Sequence, residues 1–500
     1  MRRTIPLLAL LASTALLACA PAKSEIVQVN SPPSAQAKPP PKVAAEPELT
    51  SQDLVAMEVI TSNDLVAADK TSDLFVRVHL TAKPQKTAKR PPINLALVVD
   101  TSGSMQGSAM DDARTASLAL LDSLSDGDRL SVVVFHSSTE ILVPSTLLSK
   151  DNRKDIHDKI AKMQASGTTD LQGGLWAGLR EVQNHYAQNG INRLVLLGDG
   201  IPNDTAQIPN QIQQAASSRI SITALGLGLD HDETLMSKLA LETGGKYHYI
   251  DESSKVAKVF NDELLRLKVV AGRATQVAFK PGPGVVVKGV LGLPAQAIQG
   301  GIGVTLGDLS EGDERDVLVE VSVAGRRDGS IVELLDVSVS EQNPQKPGAW
   351  LTEKKFVSVK ASADAAAIEK GRNKDVARTA VRHIVADAVV RAVALARKGE
   401  LQPARALLDS AEKAGKASLK ENKDDTELAE KLKTIPTLRQ SLASLVPPPP
   451  PPPPPVLYPG GVGGHPDIAP AMAPAPAPPP RPAPAVMQAQ AAAMETIQGD

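Results

Sequence analysis

Between residues 93 and 267 the sequence alternates short apolar runs with stretches of helical periodicity. The apolar runs have strand length and little polar alternation, which is typical of strands buried on both faces; they cover residues 93–99, 129–135, 194–197 and 220–227. Helix-like stretches accompany them at 108–124, 171–188 and 232–242. A last strand at 246–250 and a helix at 255–267 would close a domain spanning 91–267. Alternating strands and helices predict an α/β fold with a doubly wound, mostly parallel sheet.

Two of the apolar runs end in a carboxylate. The run 93–99 is followed by Asp-Thr-Ser-Gly-Ser at 100–104, and the run 194–197 by Gly-Asp-Gly at 198–200. Because ligand sites in open α/β sheets lie at the carboxyl ends of the strands, we expect Asp100 and Asp199 to meet there. The order Asp-x-Ser-x-Ser supplies small oxygen ligands from alternate residues, which suits the octahedral shell of Mg²⁺ at about 2.1 Å. Taken alone, the five residues would make an equally good turn.

A third segment, Ser-Gly-Thr-Thr-Asp at 166–170, offers a hydroxyl just before a helix. In this order the three segments closely resemble the metal-ion-dependent adhesion site of von Willebrand factor type A domains. That pattern has Asp-x-Ser-x-Ser, then a Thr after a Gly, then an Asp-Gly after a strand, and it is matched at Asp100, Ser102, Ser104, Thr168 and Asp199. The chain departs from it at Gly198, where the family usually has Thr, and at Ser166, where it usually has Gly. Neither position is a ligand.

The resemblance implies a divalent cation, Mg²⁺ with Mn²⁺ or Ca²⁺ as alternatives, bound without catalysis. Ser102 and Ser104 would coordinate it directly, Thr168 directly or through water, and Asp100 and Asp199 mainly through waters. Neutral hydroxyls leave much of the positive charge uncompensated, so the expected further ligand is an Asp or Glu of a partner protein. Rim residues that would contact this partner lie on the same loops, at Met105, Gln106, Thr169, Asp170 and Pro202.

Enzymatic and nucleic-acid functions lack their usual signals. The eight histidines are scattered singly, no positioned base accompanies the cation, and no phosphate-binding Gly-rich loop ending in Lys-Ser or Lys-Thr occurs. The net charge of −2 gives no reason to expect a nucleic-acid partner, and only 2% of the residues are aromatic. The sequence also has no basic stripe with interleaved aromatics. The acidic segment 230–233 fits a helix N-terminus better than a second cation site. We therefore expect no enzyme activity and no nucleotide or nucleic-acid partner.

The first residues predict export and lipid anchoring. Residues 1–18 combine a positive start with an apolar stretch too short for a comfortable membrane span, as in a signal peptide. They end in Leu-Leu-Ala before Cys19, the only cysteine, and this resembles the bacterial lipobox, whose Cys is lipidated. Ala20 follows where an Asp is associated with inner-membrane retention. The expected location is the bacterial cell envelope, at the outer membrane.

Outside the central domain the composition divides the chain further. Residues 19–50 read as a disordered Pro/Ala linker. Period-two alternation within 54–83 and 270–360 predicts a β-sandwich-like module, which can be one unit with strands from both sides of the central domain. Helical periodicity marks 361–445, and 446–500 reads as a disordered Pro/Ala-rich tail with a polyproline run. The alternative function is therefore a structural envelope scaffold or assembly factor that docks through the tail and the helical segment.

Overall fold

The computed structural model describes residues 49–85, 90–199, 201–229, 231–344, 346, 348–446 and 482–499. Cys19, the signal peptide and most of the Pro-rich tail lie outside these ranges. The strands are β1 Val55–Thr61, β2 Leu65–Ala67, β3 Ser72–Ala82, β4 Ile93–Asp100, β5 Arg129–Phe135, β6 Thr139–Leu147, β7 Ile191–Gly198, β8 Ser221–Leu227, β9 Tyr247–Ile250, β10 Val270–Pro281, β11 Val285–Val290, β12 Ala295–Ile298, β13 Gly301–Ser310, β14 Glu314–Val323, β15 Ile331–Gln342 and β16 Trp350–Ser362. The α-helices are α1 Ser51–Leu54, α2 Ser108–Ser123, α3 Arg153–Ile160, α4 Leu171–Asn184, α5 Ile208–Ser217, α6 Glu233–Thr243, α7 Val256–Lys268, α8 Ala365–Lys370, α9 Lys374–Arg397, α10 Leu401–Glu421, α11 Thr426–Ser441 and α12 Pro484–Gln498.

The central domain is a six-stranded sheet in the order β6-β5-β4-β7-β8-β9. All neighbouring strands are parallel except β6, which runs antiparallel along β5 at the edge. Alternate residues of β4 enter two different cores: Leu97 and Val99 pack with α2 and α7, whereas Ala96 and Val98 pack with α4, α5 and α6. Burial on both faces explains the continuous apolar runs. The prediction of a doubly wound, mostly parallel α/β sheet is confirmed.

The flanking β module combines strands from both sides of the central domain. One sheet has the order β1-β3-β14-β11 and the other β12-β13-β10-β15-β16-β2. Strand β3, which precedes the central domain, pairs antiparallel with β14, which follows it, and Val76 lies opposite Val319. The inner faces of both sheets share one core of Val, Leu and Phe side chains. This is a sandwich into which the central domain is inserted.

The helical segment packs into a unit of α9, α10, α11 and α12. Residues 447–481 lie outside the described part of the chain, but α12 differs from the prediction of a disordered tail up to residue 500. Its apolar residues Val486, Ala489, Ala493 and Ile497 recur at helical spacing and join the core of the helical unit. Met494 on its other side enters the core of the central domain. The Ala-rich stretch of α12 therefore forms a helix because tertiary packing buries its apolar side chains, although its composition resembles that of the preceding Pro/Ala sequence.

Within the described ranges, no helix combines the length and the apolarity that crossing a bilayer would need.

Candidate metal centre

Two neighbouring strands bring the predicted carboxylates to the same edge of the central sheet. β4 and β7 are parallel and in register, with Val99 opposite Leu197, so Asp100 and Asp199 follow at adjacent strand ends. Asp100 is 1% exposed and Asp199 7% exposed. The Ser102 amide donates a hydrogen bond of 2.8 Å to Asp100 Oδ1, which closes the turn after β4. The structure therefore places Asp100 and Asp199 at the carboxyl ends of adjacent strands, as the sequence predicts.

The hydroxyls of the Asp-x-Ser-x-Ser turn connect the two strand ends. Ser104 Oγ donates to Asp199 Oδ1 at 2.7 Å, and Ser102 Oγ lies 3.0 Å from Ser104 Oγ. Adjacent ligands of an octahedron with bonds of about 2.1 Å lie about 3.0 Å apart. The two serine oxygens therefore already have the spacing of neighbouring ligands in such a shell. Ser102 is buried and Ser104 exposed, so this part of the site opens to solvent.

Thr168 lies on a loop fastened to the same turn. Gly103 donates its amide to the carbonyl of Gly167 at 3.0 Å. The Thr168 hydroxyl accepts from Asn203 Nδ2 at 3.0 Å and donates to Ser137 Oγ at 3.3 Å, and the Thr168 amide donates to Ser137 Oγ at 3.0 Å. Gly167 has φ +76°, and a Cβ at this position would lie 2.3 Å from Ser137 Oγ. The Gly before Thr168 is thus required by both conformation and space.

Ser137 and Asn203 are residues of this edge that the sequence analysis missed. Ser137 follows β5, the strand that pairs with β4 on the side away from β7. Asn203 follows Asp199 on the loop after β7, and its amide donates to the carbonyl of Thr169 at 3.0 Å. A search of the polar residues just after every predicted parallel strand would have found Ser137.

The predicted rim residues differ in how far they reach the surface. Gln106 is exposed and Pro202 half-buried. Met105 is fully buried in the core under α2, and Thr169 is only 7% exposed, so neither presents a free side chain to a partner. Asp170 is the N-cap of α4, where its carboxylate accepts from Gly173 N at 3.0 Å. The expected rim is therefore corrected at Met105 and Thr169, whose side chains point inward from the loops that carry them.

Gly198, the departure from the family pattern, lies against Asp100. A Cβ at residue 198 would be 3.3 Å from both Cβ and Oδ2 of Asp100. This is tighter than ordinary van der Waals contact, so a larger residue would require Asp100 to shift. Gly198 allows β7 to carry Asp199 while Asp100 stays close to the strand.

The donor set fits a small, hard cation. Two carboxylates and three hydroxyls supply only oxygen ligands, which suit Mg²⁺, Mn²⁺ or Ca²⁺ rather than soft metals. In the described ranges, no group of three or more His, Cys, Asp and Glu side chains could hold a metal ion.

The acidic segment before α6 has the capping role expected for it. The Asp232 carboxylate accepts from the amides of Thr234 and Leu235 at 3.1 and 3.0 Å. His231 is fully buried, with Nε2 2.9 Å from the Tyr247 hydroxyl, and burial lowers the pKa of His231 to about 4. A neutral, buried imidazole beside an N-cap explains this segment without a metal.

Residues 94–262 match the von Willebrand factor type A domain family. The chain is 26% identical to the uncharacterized protein YfbK of Escherichia coli, over 55% of this chain and 50% of YfbK. It is 26% identical to the uncharacterized protein sll0103 of Synechocystis, over 53% of this chain and 65% of that protein. It is 29% identical to human inter-alpha-trypsin inhibitor heavy chain H4, over 34% of this chain and 20% of H4. The chain thus spans only part of the length of each of these relatives.

Two solved structures share the fold over most of the chain. A von Willebrand factor type A protein from Catenulispora acidiphila superimposes with a TM-score of 0.62 and 17% identity, over 77% of this chain and 89% of that one. The ArnB paralog VWA2 from Sulfolobus acidocaldarius gives a TM-score of 0.54 and 15% identity, over 78% of this chain and 98% of that one. Together with the family match, these similarities identify residues 94–262 as a von Willebrand factor type A domain.

Proposed function

We propose that the chain binds a partner protein through a divalent cation held at the carboxyl ends of β4 and β7. The observation that carries this proposal is the line of oxygens from Ser102 through Ser104 to Asp199, with steps of 3.0 and 2.7 Å. Type A domains are typically protein-interaction modules, which supports a binding role. Mg²⁺ is the expected cation, with Mn²⁺ or Ca²⁺ as alternatives.

Each residue of the site has a distinct part in this proposal. Ser102 and Ser104 offer direct ligands, and Thr168 offers a third hydroxyl from a loop that Ser137 and Asn203 hold in place. Asp100 orients the turn through the Ser102 amide, and Asp199 orients Ser104. A cation bound here would supply an electrophilic centre for a carboxylate oxygen of the partner. With three neutral ligands it retains charge that an Asp or Glu of the partner neutralises.

Binding without catalysis follows from the same set of side chains. Hydrolysis at a metal site requires a base that is positioned to activate water. The hydroxyls and carboxylates of this edge hydrogen-bond to one another and to backbone amides, as expected of residues that position ligands. We accordingly propose no enzyme activity for this site.

Crosslinking in intact cells tests the proposal and names the partner. Wild type should be crosslinked to a partner. This crosslink should be lost in Asp100→Ala and in wild type treated with chelator, while circular dichroism shows that the variant is folded. Asp111→Ala is a matched control, because Asp111 lies on the nearby helix α2 with its side chain 68% exposed. An unchanged set of partners in chelator would contradict metal-dependent binding.

The alternative, a scaffold that docks through the Pro-rich tail, predicts a different outcome. Deleting the whole tail would not distinguish the two proposals, because the deletion would also remove α12, which packs into two cores. Replacing only 447–481 with a Gly/Ser linker of equal length keeps α12 in place. Loss of every partner from this variant, with partners retained by Asp100→Ala, would favour the scaffold.

We further propose that Cys19 carries a lipid anchor and holds the chain in the bacterial cell envelope, at the outer membrane. The support is the sequence Leu-Leu-Ala-Cys after an export signal. Cys19→Ala should move the protein from the membrane fraction to the soluble fraction, and metabolic labelling with a fatty acid should disappear. Continued labelling of Cys19→Ala would contradict the anchor.

A further inference from the structure

A groove runs between α4 and α5, beginning beside the candidate metal centre. Its cavity measures about 440 Å³, and Asp170, two residues after Thr168, lies at one end. The remaining walls are uncharged: one tryptophan and five amide side chains define them, namely Trp176, Gln172, Gln207, Asn210, Gln211 and Gln214. We call this the amide groove. Its position makes it a continuation of the surface on which a partner would meet the cation.

Trp176 is the apolar contact that the groove offers. The side chain is 51% exposed, and the Arg180 guanidinium lies over its ring at 4.7 Å from the centroid. Exposed tryptophans are uncommon and are enriched among the residues that contribute most to protein–protein binding. Stacking against Arg180 restrains the indole, so a partner side chain would meet a surface that is already ordered.

The amides provide the complementary polar chemistry. Three of the amides, Gln207, Asn210 and Gln214, are exposed, so their side chains can donate to and accept from the backbone of a bound chain. Because the only charged lining residue, Asp170, already caps α4, the groove matches an uncharged polar strand of peptide.

The helix geometry sets the spacing between the two contacts. Trp176 is six residues beyond the N-cap Asp170, which corresponds to about 9 Å along α4 at 1.5 Å per residue. An extended peptide covers the same distance in about three residues. A partner segment that enters the groove at Asp170 would therefore reach Trp176 about three residues further along.

We propose that the partner presents an extended peptide segment whose Asp or Glu binds at the cation and whose chain continues through the amide groove. About three residues beyond the entrance of the groove at Asp170, an apolar or proline side chain of the segment lies on Trp176. Backbone groups of the segment hydrogen-bond with the exposed amides of Gln207, Asn210 and Gln214. This inference rests on the proposed metal-dependent binding and specifies the form of the partner.

Selection from a displayed peptide library tests the inference. The probe is a library with one fixed central Asp flanked by random residues, selected on the purified chain in MgCl₂. Wild type should enrich an apolar residue or proline at one fixed position, at least about three residues to one side of the Asp. Trp176→Ala should lose that preference but still require Asp and Mg²⁺, and should bind the winning peptide at least about tenfold more weakly.

Trp350→Ala is the matched control, because Trp350 also stacks with an arginine, Arg219, at 4.8 Å from its ring centroid. It should leave selection unchanged, and Asn210→Ala should weaken the winning peptide while the fold stays intact. Mg²⁺-dependent peptides with no preference around the Asp, or full binding by Trp176→Ala, would overturn the groove and leave the proposed function standing. Peptide binding that persists in Asp100→Ala and chelator would instead contradict the proposed function.

Discussion

The two ends of the parallel strands, here called the carboxyl edge and the amino edge of the central sheet, differ in the partners of their charged side chains. At the carboxyl edge, Asp100 and Asp199 are 1% and 7% exposed, and Ser104, which donates to Asp199, reaches solvent. At the amino edge, Arg193 of β7 lies 3.6 Å from Glu263 and 3.3 Å from Asp308, and the three side chains are 6%, 9% and 10% exposed. Asp308 belongs to the β module, so these ion pairs join the two parts of the molecule.

The pKa of Glu263 reflects the buried charges that surround it at the amino edge. Burial opposes ionisation of this carboxyl, but the hydrogen bond from His248 and the charges of His248, Arg193 and Lys246 outweigh it and lower the pKa of Glu263 to about 2. The charges there are neutralised within the chain. The comparison teaches that the amino edge pairs its charged residues with one another, whereas the carboxyl edge combines its carboxylates with hydroxyls, which is the donor set that the proposed cation requires.

Removing Arg193 should give the largest effect, and only on stability. Arg193→Ala leaves Glu263 and Asp308 buried without their common partner, so we expect the free energy of unfolding to fall by about 3–5 kcal/mol. Urea denaturation measures it. Lys154→Ala, which breaks the exposed Lys154–Asp158 pair, should leave the urea midpoint unchanged. Equal losses in the two variants would mean that the buried network has no special role.

The same edge should make stability depend on alkaline pH through Lys246. Burial, followed by the charges of Arg315 and Arg266, lowers the pKa of Lys246 from 10.5 to about 7, against the opposing effect of Glu263 and Asp313. Between these two values the unfolded chain holds a proton that the folded chain has released, so stability should rise with pH across that window. Below about pH 7 both states are protonated and this contribution to the slope disappears.

The measurement is the unfolding free energy as a function of pH for wild type and Lys246→Met. The variant should lack the alkaline rise. A rise of equal size in Lys246→Met would assign it to another group.

At the carboxyl edge, Gly198→Ala should weaken the cation site more than the fold. The added Cβ would contact Asp100 at 3.3 Å and displace it, so we expect roughly tenfold weaker Mg²⁺ binding and a stability loss of about 1 kcal/mol. Isothermal titration measures the affinity. Gly289→Ala, where an added Cβ meets nothing within 4 Å, serves as control. Unchanged Mg²⁺ affinity in Gly198→Ala would show that the position of Asp100 does not limit binding.

Ser137→Ala should have the smallest of these effects. It removes the acceptor of the Thr168 amide and the partner of the Thr168 hydroxyl, a loss of about 1 kcal/mol that corresponds to about fivefold weaker Mg²⁺ binding. The neighbouring Ser138→Ala changes an exposed side chain on the same loop and should bind Mg²⁺ as wild type does. If both variants bind alike, Ser137 does not support Thr168 in the cation-bound state.

The sequence predicted the parts of the molecule whose local pattern reflects their burial. Strands β4, β5, β7 and β8 are continuous apolar runs because both faces are covered. Strand β6 had no prediction: it lies at the sheet edge, and its half-exposed residues show neither a run nor a clear alternation. Helix α12 was not predicted, because it packs against α9, α11 and the central domain, which are far away in the sequence.

The candidate site was predictable for a different reason. Its residues Asp100, Ser102 and Ser104 lie in one short turn, and Thr168 and Asp199 follow glycine or a strand, so spacing alone indicates them. Ser137 lacked such a motif. The amino-edge ion pairs could not be predicted, since Arg193 and Asp308 are 115 residues apart and meet only through the packing of two modules.

The most direct test is metal binding by the metal-stripped full chain. Mn²⁺, followed by electron paramagnetic resonance as a substitute for Mg²⁺, should saturate one site per wild-type molecule and be displaced by Mg²⁺. Asp100→Ala should lose this site while its circular dichroism spectrum is unchanged. Saturable binding of equal strength in the variant, or none in wild type, would contradict the assignment of a cation to Asp100, Ser102, Ser104, Thr168 and Asp199.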